Sequence, residues 1–132
     1  LFRSIACYSL QFGYGCYPPI ATVAAFRKGE EWRRQMLAYI EDNIRFVEDF
    51  CKANIPAIRP QASFLIWLNC RDLNLSHDQL LDLFIDKAHL ALNDGEMFGP
   101  GGEGFMRLNV AEPRSVLEQA LLQLEEAVRG LG

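Results

Sequence analysis

The stretch DGEMFGPGGEGFMRLNV, residues 94–110, joins a glycine-dense segment to a short strand that carries one arginine. Five of its residues are glycine, which predicts backbone angles or close approaches that a β-carbon would forbid. From Phe105 onward the pattern is that of a strand, whose side chains alternate between two faces. One predicted face is apolar and holds Met106, Leu108 and Val110, and the opposite face holds Phe105, Arg107 and Asn109.

Arg107 is therefore predicted to point away from the apolar face of its strand. A guanidinium held on a rigid strand beside a glycine loop suits bidentate recognition of a carboxylate or a phosphate. The alternative is an ordinary surface arginine, and this stretch alone leaves both interpretations open.

Outside this stretch, apolar residues recur every three or four positions in several segments, as in amphipathic helices. Pro18 and Pro19 suit the first turn of a helix, and Ser76 with Gln79 predicts a capping box. Residues 1–17 are predicted to form a loop or a frayed helix. The elements predicted after them are a helix from 18 to 29, a long helix over 30–53, an edge segment over 57–60, a strand over 62–69, a helix over 77–88, strands over 90–93 and 105–110, and a helix over 113–130.

This order predicts an α/β (α+β) fold, a two-layer sandwich in which helices pack on one face of a small mixed or antiparallel sheet. The strand over 62–69 is apolar on both faces, which predicts a helix layer on one side and a partner domain on the other. The long helix over 30–53 has the strongest apolar repeat, which comprises Trp32, Met36, Ile40, Ile44, Val47 and Cys51. Two further helices have predicted inward faces. The first comprises Leu80, Leu81, Phe84 and Ile85, and the second comprises Val116, Leu117, Ala120, Leu121, Leu124 and Val128.

Composition narrows the functional classes. The 132 residues fit one domain, and the net charge of -4 argues against a broad nucleic-acid surface. No apolar stretch is long enough to span a bilayer or to act as a signal peptide, so no membrane partner is expected. The four cysteines, at positions 7, 16, 51 and 70, form no CxxC pair, so we expect no metal site and reduced thiols in a cytoplasmic protein. The start at Leu1, without methionine or a capping residue, predicts a fragment of a longer protein.

The sequence lacks the self-contained catalytic motifs GxSxG, the P-loop and HExxH. Glu96 and Glu103 flank the glycine turn without a spacing that demands acid–base chemistry. His77 is predicted at the exposed start of a helix, and His89 has no visible catalytic partner. The residues therefore predict one anion-binding group and no catalytic residue. This combination indicates an incomplete site, whose catalytic residues lie outside this sequence.

Several segments resemble a known family. These are GEMFG at 95–99, GEGFMRLN at 102–109, Pro113-Arg114, GEEW at 29–32 and ASFLIWL at 62–68. In order and spacing they are similar to the C-terminal (small) domain of fold-type I pyridoxal-phosphate (PLP) enzymes. The nearest branch is that of the class I/II aminotransferases and the cystathionine β-lyase-like C–S lyases.

The resemblance implies a role for Arg107, which would bind the α-carboxylate of an amino-acid substrate. It implies that residues 1–29 lead from a missing large PLP domain, and that residues 30–132 form the small domain, beginning with a long interdomain helix. It further implies the cofactor pyridoxal 5'-phosphate and a homodimer for the full-length protein. The lysine that forms the Schiff base would lie in the large domain, so this chain alone would hold no cofactor and would be inactive.

Three functions remain open on the sequence. The first is an aminotransferase domain, and the second is the same domain of a C–S β-lyase, which the sequence does not separate from it. The loop directly before Pro18 lacks the arginine with which aspartate aminotransferases bind a side-chain acid, so an aspartate-type substrate is not expected. The third is a stand-alone, non-catalytic module that binds a small anion or serves regulation or dimerisation.

Overall fold

The computed structural model describes residues 17–52 and 55–131. Predictions made for residues 1–16, including those on Cys7 and Cys16, lie outside the described residues. The chain divides into two compact units, Leu1–Ala38 and Tyr39–Gly132. No helix within the described ranges is long and apolar enough to cross a membrane.

Two helices occupy the described residues up to position 51. Helix α1 spans Tyr17–Lys28 and contains Pro18 and Pro19 in its first turn, as the sequence predicts. Gly29 separates it from helix α2, which spans Glu30–Cys51. A β-carbon at Gly29 would overlap the carbonyl oxygen of Ala25, so only glycine fits this break without a shift.

The second unit contains a four-stranded antiparallel sheet. Its strands are β1 (Ala57–Ile58), β2 (Leu65–Asn69), β3 (Asn93–Asp94) and β4 (Phe105–Asn109). They lie in the order β1-β2-β4-β3, so that β1 and β3 are the edges and β4 is central. The antiparallel alternative of the predicted fold is therefore the observed one.

One face of this sheet is the core. Ile66 and Leu68 of β2 and Met106 and Leu108 of β4 are all buried there. The helices that bury apolar side chains are the second half of α2, α3 (His77–Asp82) and α4 (Arg114–Arg129). The opposite face carries half-buried or exposed side chains, so the helices cover one face only and the two-layer prediction is confirmed.

Asn43 ties helix α2 to the end of β4. Its side chain is fully buried, and its Nδ2 donates to the carbonyl oxygens of Val110, at 2.8 Å, and Glu112, at 2.9 Å. These two carbonyls follow the last strand, where no ladder partner takes their hydrogen bonds. The amide thus satisfies two backbone carbonyls of this turn, of which the one at Val110 is buried.

Four details of the predicted elements are wrong. Trp32, on the predicted apolar face of the long helix, lies in the first turn of α2 and is 69% exposed. The helix over 77–88 is α-helical only to Asp82, and a π-helical turn follows over Leu83–Lys87. Because a π turn holds more residues than an α turn, the buried face shifts, so that Leu83 is buried and Ile85 is 51% exposed. Val116 is also exposed, because it lies in the first turn of α4, whereas Leu117 is buried. The strand predicted over 90–93 begins only at Asn93.

The capping box predicted at Ser76 is confirmed. The Ser76 hydroxyl accepts from the backbone N–H of Gln79, and the Gln79 side chain accepts from the backbone N–H of Ser76. This reciprocal pair satisfies two N–H groups at the start of α3. It holds the first turn of α3, which carries His77.

Candidate functional site

Arg107 lies at the centre of β4 on the face of the sheet that the helices leave open. It pairs in register with Trp67 of β2 and with Asn93 of β3, and directly paired residues point to the same side. The predicted alternation is confirmed, since Met106 and Leu108 are buried on the other face. The side chain of Arg107 is half-buried.

Two contacts orient the guanidinium of Arg107. Its Nη2 donates to Oδ1 of Asn93 at 3.0 Å, and its central carbon lies 4.2 Å from the centroid of the Phe98 ring. Its Nε is buried and has no hydrogen-bond partner among the described residues. A buried unpaired donor is costly, and such groups in native proteins usually mark a missing partner or a function.

Aromatic side chains surround this position. Trp67 meets Phe98 edge-on, with ring centroids 5.4 Å apart, and meets Phe105 edge-on at 6.3 Å. A shallow groove of about 300 Å³ runs beside them and is lined by Ile58, Trp67, Phe98, Phe105 and residues 99–102. Arg107 is therefore a cation at the edge of an aromatic surface.

The glycine loop that precedes β4 is folded tightly on itself. It begins with a 3₁₀ turn over Gly95–Phe98, in which the side chain of Asp94 accepts from the N–H of Glu96 at 3.1 Å. A β-carbon at Gly102 would overlap the carbonyl oxygen of Gly95. Gly99, Gly101 and Gly104 have positive φ angles of 100°, 94° and 75°. The glycine density is thus explained by one close approach and three left-handed positions, as the sequence predicts.

Two polar side chains from outside the loop hold its ends, and neither contact was predicted. His77 lies with Nδ1 2.9 Å from a carboxylate oxygen of Glu96 and Nε2 3.5 Å from Asp94. Arg71 donates from Nε to the carbonyl of Glu103 at 3.0 Å and from Nη2 to the carbonyl of Gly101 at 3.2 Å. No local sequence signal indicates these contacts, since their partners lie 17 or more positions away along the chain.

His77 is partly exposed, as predicted, but it also binds the loop. Glu96 keeps its predicted place in the loop and has His77 as its partner. Glu103 contributes its backbone carbonyl to the contact with Arg71. His89 is exposed and has a positive φ of 55°.

The lysines of the chain do not fit a cofactor-bearing role. All three, Lys28, Lys52 and Lys87, are exposed. The hydrogen bond that Lys52 donates to the Asp49 carboxylate raises the pKa of Lys52, which is opposite to the lowered pKa that a reactive amine needs. Lys87 is ion-paired with Asp82 at 3.2 Å. These three lysines therefore do not fit the role of the lysine that binds PLP.

The two described cysteines are buried, free thiols. Burial raises the pKa of the Cys51 thiol to about 11 and that of Cys70 to about 12. They therefore stay protonated at neutral pH and are not nucleophiles. Within residues 17–52 and 55–131, no cluster of three or more His, Cys, Asp or Glu side chains could hold a metal ion.

No protein-family model matches the chain. Cystathionine β-lyase PatB of Bacillus subtilis is 34% identical over 119 residues, which are 88% of this chain and 31% of PatB.

Two solved structures share the fold. Cystalysin from Treponema denticola, which contains pyridoxal 5'-phosphate, matches 82% of this chain and 28% of its own, with 32% identity and a TM-score of 0.77. A PLP-bound protein of Clostridium difficile, provisionally assigned as an aminotransferase, matches 95% of this chain and 33% of its own, with 33% identity and a TM-score of 0.83. The chain spans about a third of the length of the relatives that it matches.

The sequence and the fold agree on a class, the PLP-dependent enzymes of fold type I. Within that class, the chain is homologous to the C-terminal domain of the branch that contains the cystathionine β-lyases and the aminotransferases. The resemblance stated from the glycine loop and the RLN segment is therefore confirmed. The role of Arg107 stays a prediction.

Proposed function

We propose that this chain is the small domain of a PLP-dependent enzyme that acts on an amino acid, and that Arg107 binds the α-carboxylate of the substrate. The observation that carries the proposal is the state of the Arg107 guanidinium. Asn93 and Phe98 orient it, its Nε has no partner, and no hydrogen bond among the described residues uses Nη1.

The geometry suits a carboxylate. Nη2 carries two hydrogens, of which Asn93 takes one, and Nη1 carries two more. The remaining hydrogens on Nη1 and Nη2 form a planar fork that can donate two parallel bonds to one carboxylate. A strand in the middle of a sheet holds this fork more rigidly than a loop would, which lowers the entropy lost on binding.

The chain would contribute binding and orientation, and the rest of the chemistry would come from a large domain outside it. When bound there, PLP supplies an electron sink for the negative charge that develops at the substrate α-carbon. Arg107 would fix the carboxylate, and so the orientation of the substrate relative to that sink. We propose residues 1–29 as the segment that leads from the large domain and residues 30–132 as the small domain.

Two reactions are candidates. β-Elimination from a sulfur-containing amino acid is supported by the 34% identity to PatB. Transamination is supported by the TM-score of 0.83 to the Clostridium protein. An assay of the whole protein distinguishes the two reactions by their products. β-Elimination of L-cystathionine, followed by hydrolysis, releases pyruvate, homocysteine and ammonia, whereas transamination transfers the amino group to an added 2-oxo acid.

The test of the carboxylate role is Arg107→Ala in the whole protein. Loss of a charge-assisted bidentate contact should lower kcat/KM about 100-fold or more. Arg45→Ala is the matched control, because Arg45 is an exposed helix residue whose ion pairs within the described ranges are with its helix neighbours Glu41 and Asp42. Unchanged kinetics in Arg107→Ala would exclude the carboxylate-binding role of Arg107.

The assembly and location of the whole protein are also proposals. The buried, reduced state of Cys51 and Cys70 supports a cytoplasmic location. The family resemblance supports a homodimer. Light scattering of the whole protein at micromolar concentration checks the dimer, and a monomeric mass would exclude it.

A further inference from the structure

Arg71 binds the end of the glycine loop through three kinds of contact. Its two hydrogen bonds reach the carbonyls of Gly101 and Glu103, at 3.2 and 3.0 Å. Its guanidinium carbon lies 4.4 Å from the centroid of the Phe105 ring. A β-carbon at Gly104 would lie 2.7 Å from Cγ of Arg71, so the glycine makes room for this side chain.

The held loop carries the ring on which the Arg107 guanidinium rests. Phe98 precedes Gly101 by three residues and lies 4.2 Å below the Arg107 guanidinium. Trp67 contacts both Phe98 and Phe105 edge-on, so the aromatic rings under the two arginines are packed against a common side chain. Movement of the loop would therefore displace the surface that orients Arg107.

We propose that Arg71 is a positioning residue for Arg107, since it fixes the glycine loop and through it the Phe98 ring. The proposal rests on the carboxylate-binding function of Arg107. Arginine suits the role because its planar group makes two hydrogen bonds in fixed directions and stacks on an aromatic face at the same time. Lysine offers a single compact charge and cannot do both.

The first test measures the loop itself. Backbone amide exchange in the whole enzyme is followed at Gly99, Gly102 and Phe105, whose N–H groups bond within the loop. Arg71→Ala should raise exchange at these amides about 10-fold, because two hydrogen bonds that restrain opening are lost. Arg71→Lys should give an intermediate increase, and Arg45→Ala should give none. Unchanged exchange in Arg71→Ala would overturn the proposal.

The second test separates positioning from folding, in the whole enzyme with L-cystathionine and with an amino donor plus 2-oxoglutarate. Arg71→Ala should raise KM about 10-fold for whichever substrate is used, with a smaller change in kcat. A residue needed only for folding would lower the amount of active enzyme, and so the apparent kcat, without changing KM. That second pattern would overturn the proposal.

The outcomes distinguish this proposal from the proposed function. If Arg107→Ala raises KM and Arg71→Ala does not, the carboxylate role stands and the positioning role fails. If Arg107→Ala leaves kcat/KM unchanged, the carboxylate role fails, and the positioning role fails with it even where amide exchange shows that Arg71 holds the loop.

Discussion

The guanidinium of Arg107 is stacked on the ring of Phe98, 4.2 Å from its centroid, and the two residues come from different parts of one continuous stretch. Arg107 lies in strand β4, and Phe98 ends the 3₁₀ turn that begins the glycine loop. The glycine loop reverses the direction of the chain, and this reversal brings the Phe98 ring against Arg107 in β4. This contact links the glycine loop to Arg107. The sequence shows only that the two lie close together along the chain.

The first prediction concerns that contact. Phe98→Leu keeps an apolar side chain but removes the aromatic face, which is worth about 0.5–2 kcal/mol to a stacked cation. In the whole enzyme, KM for the amino-acid substrate should rise about 2- to 30-fold. Phe98→Tyr should restore the wild-type value, since it keeps the ring. Met97→Leu is the control, because Met97 is adjacent in sequence and 71% exposed. Equal KM values for Phe98→Leu and Met97→Leu would contradict the expectation.

The second prediction concerns the close approach inside the loop. Gly102→Ala would place a β-carbon on the carbonyl of Gly95, so the loop must open, at a cost of about 1–3 kcal/mol in the free energy of unfolding. Gly130→Ala is the control, because Gly130 has a φ of -76° and its β-carbon would make an ordinary contact. Urea unfolding of the two variants measures the difference. A stable Gly102→Ala protein with unchanged exchange at the Glu96 amide would disagree with the structure.

The third prediction concerns the buried amide of Asn43. Asn43→Ala leaves the carbonyls of Val110 and Glu112 without their donor and opens a small cavity. The free energy of unfolding should fall by about 2–4 kcal/mol. Asp42, the exposed neighbour in the same helix, provides the control Asp42→Ala, which should change stability by less than about 0.5 kcal/mol. Equal stability of the two variants would argue against the amide contact.

The fourth prediction concerns pH. Burial raises the pKa of Cys51 from 9.0 to about 11 and that of Cys70 from 9.0 to about 12. The folded state therefore keeps both thiols protonated where the unfolded chain begins to ionise. The contribution of the two thiols to the free energy of unfolding is fully present below pH 9. It falls as the pH rises from 9 toward the pKa values that the thiols have in the folded state. The slope should be about 1.4 kcal/mol per pH unit for each thiol.

The measurement is urea unfolding in reductant at intervals between pH 8 and the onset of alkaline unfolding. The double variant Cys51→Ala, Cys70→Ala is the control, because it differs from the parent protein only in these two thiols. It should be less stable at neutral pH but lose less stability on the alkaline side. Parallel curves for the two proteins would show that the thiols do not ionise differently on folding.

Local patterns predicted the parts of the structure that depend on neighbours in the chain. The alternation over residues 105–110 placed Arg107 opposite the core, because the side-chain period of a strand is two. The pair Ser76 and Gln79 predicted the start of α3 correctly, because a capping box needs only a three-residue spacing. The same logic failed at Ile85, where a π-helical turn changed the periodicity on which the prediction depended.

By itself, the sequence determined the glycine loop, the outward face of Arg107, the antiparallel or mixed sheet with helices on one side, and the family resemblance. Only the tertiary structure decided what surrounds Arg107. Asn93 reaches it through the register of β3 on β4, and Arg71 reaches the loop from the end of β2. Such contacts depend on how strands far apart in the chain pair with each other, and a local pattern of residue types carries no information on that register.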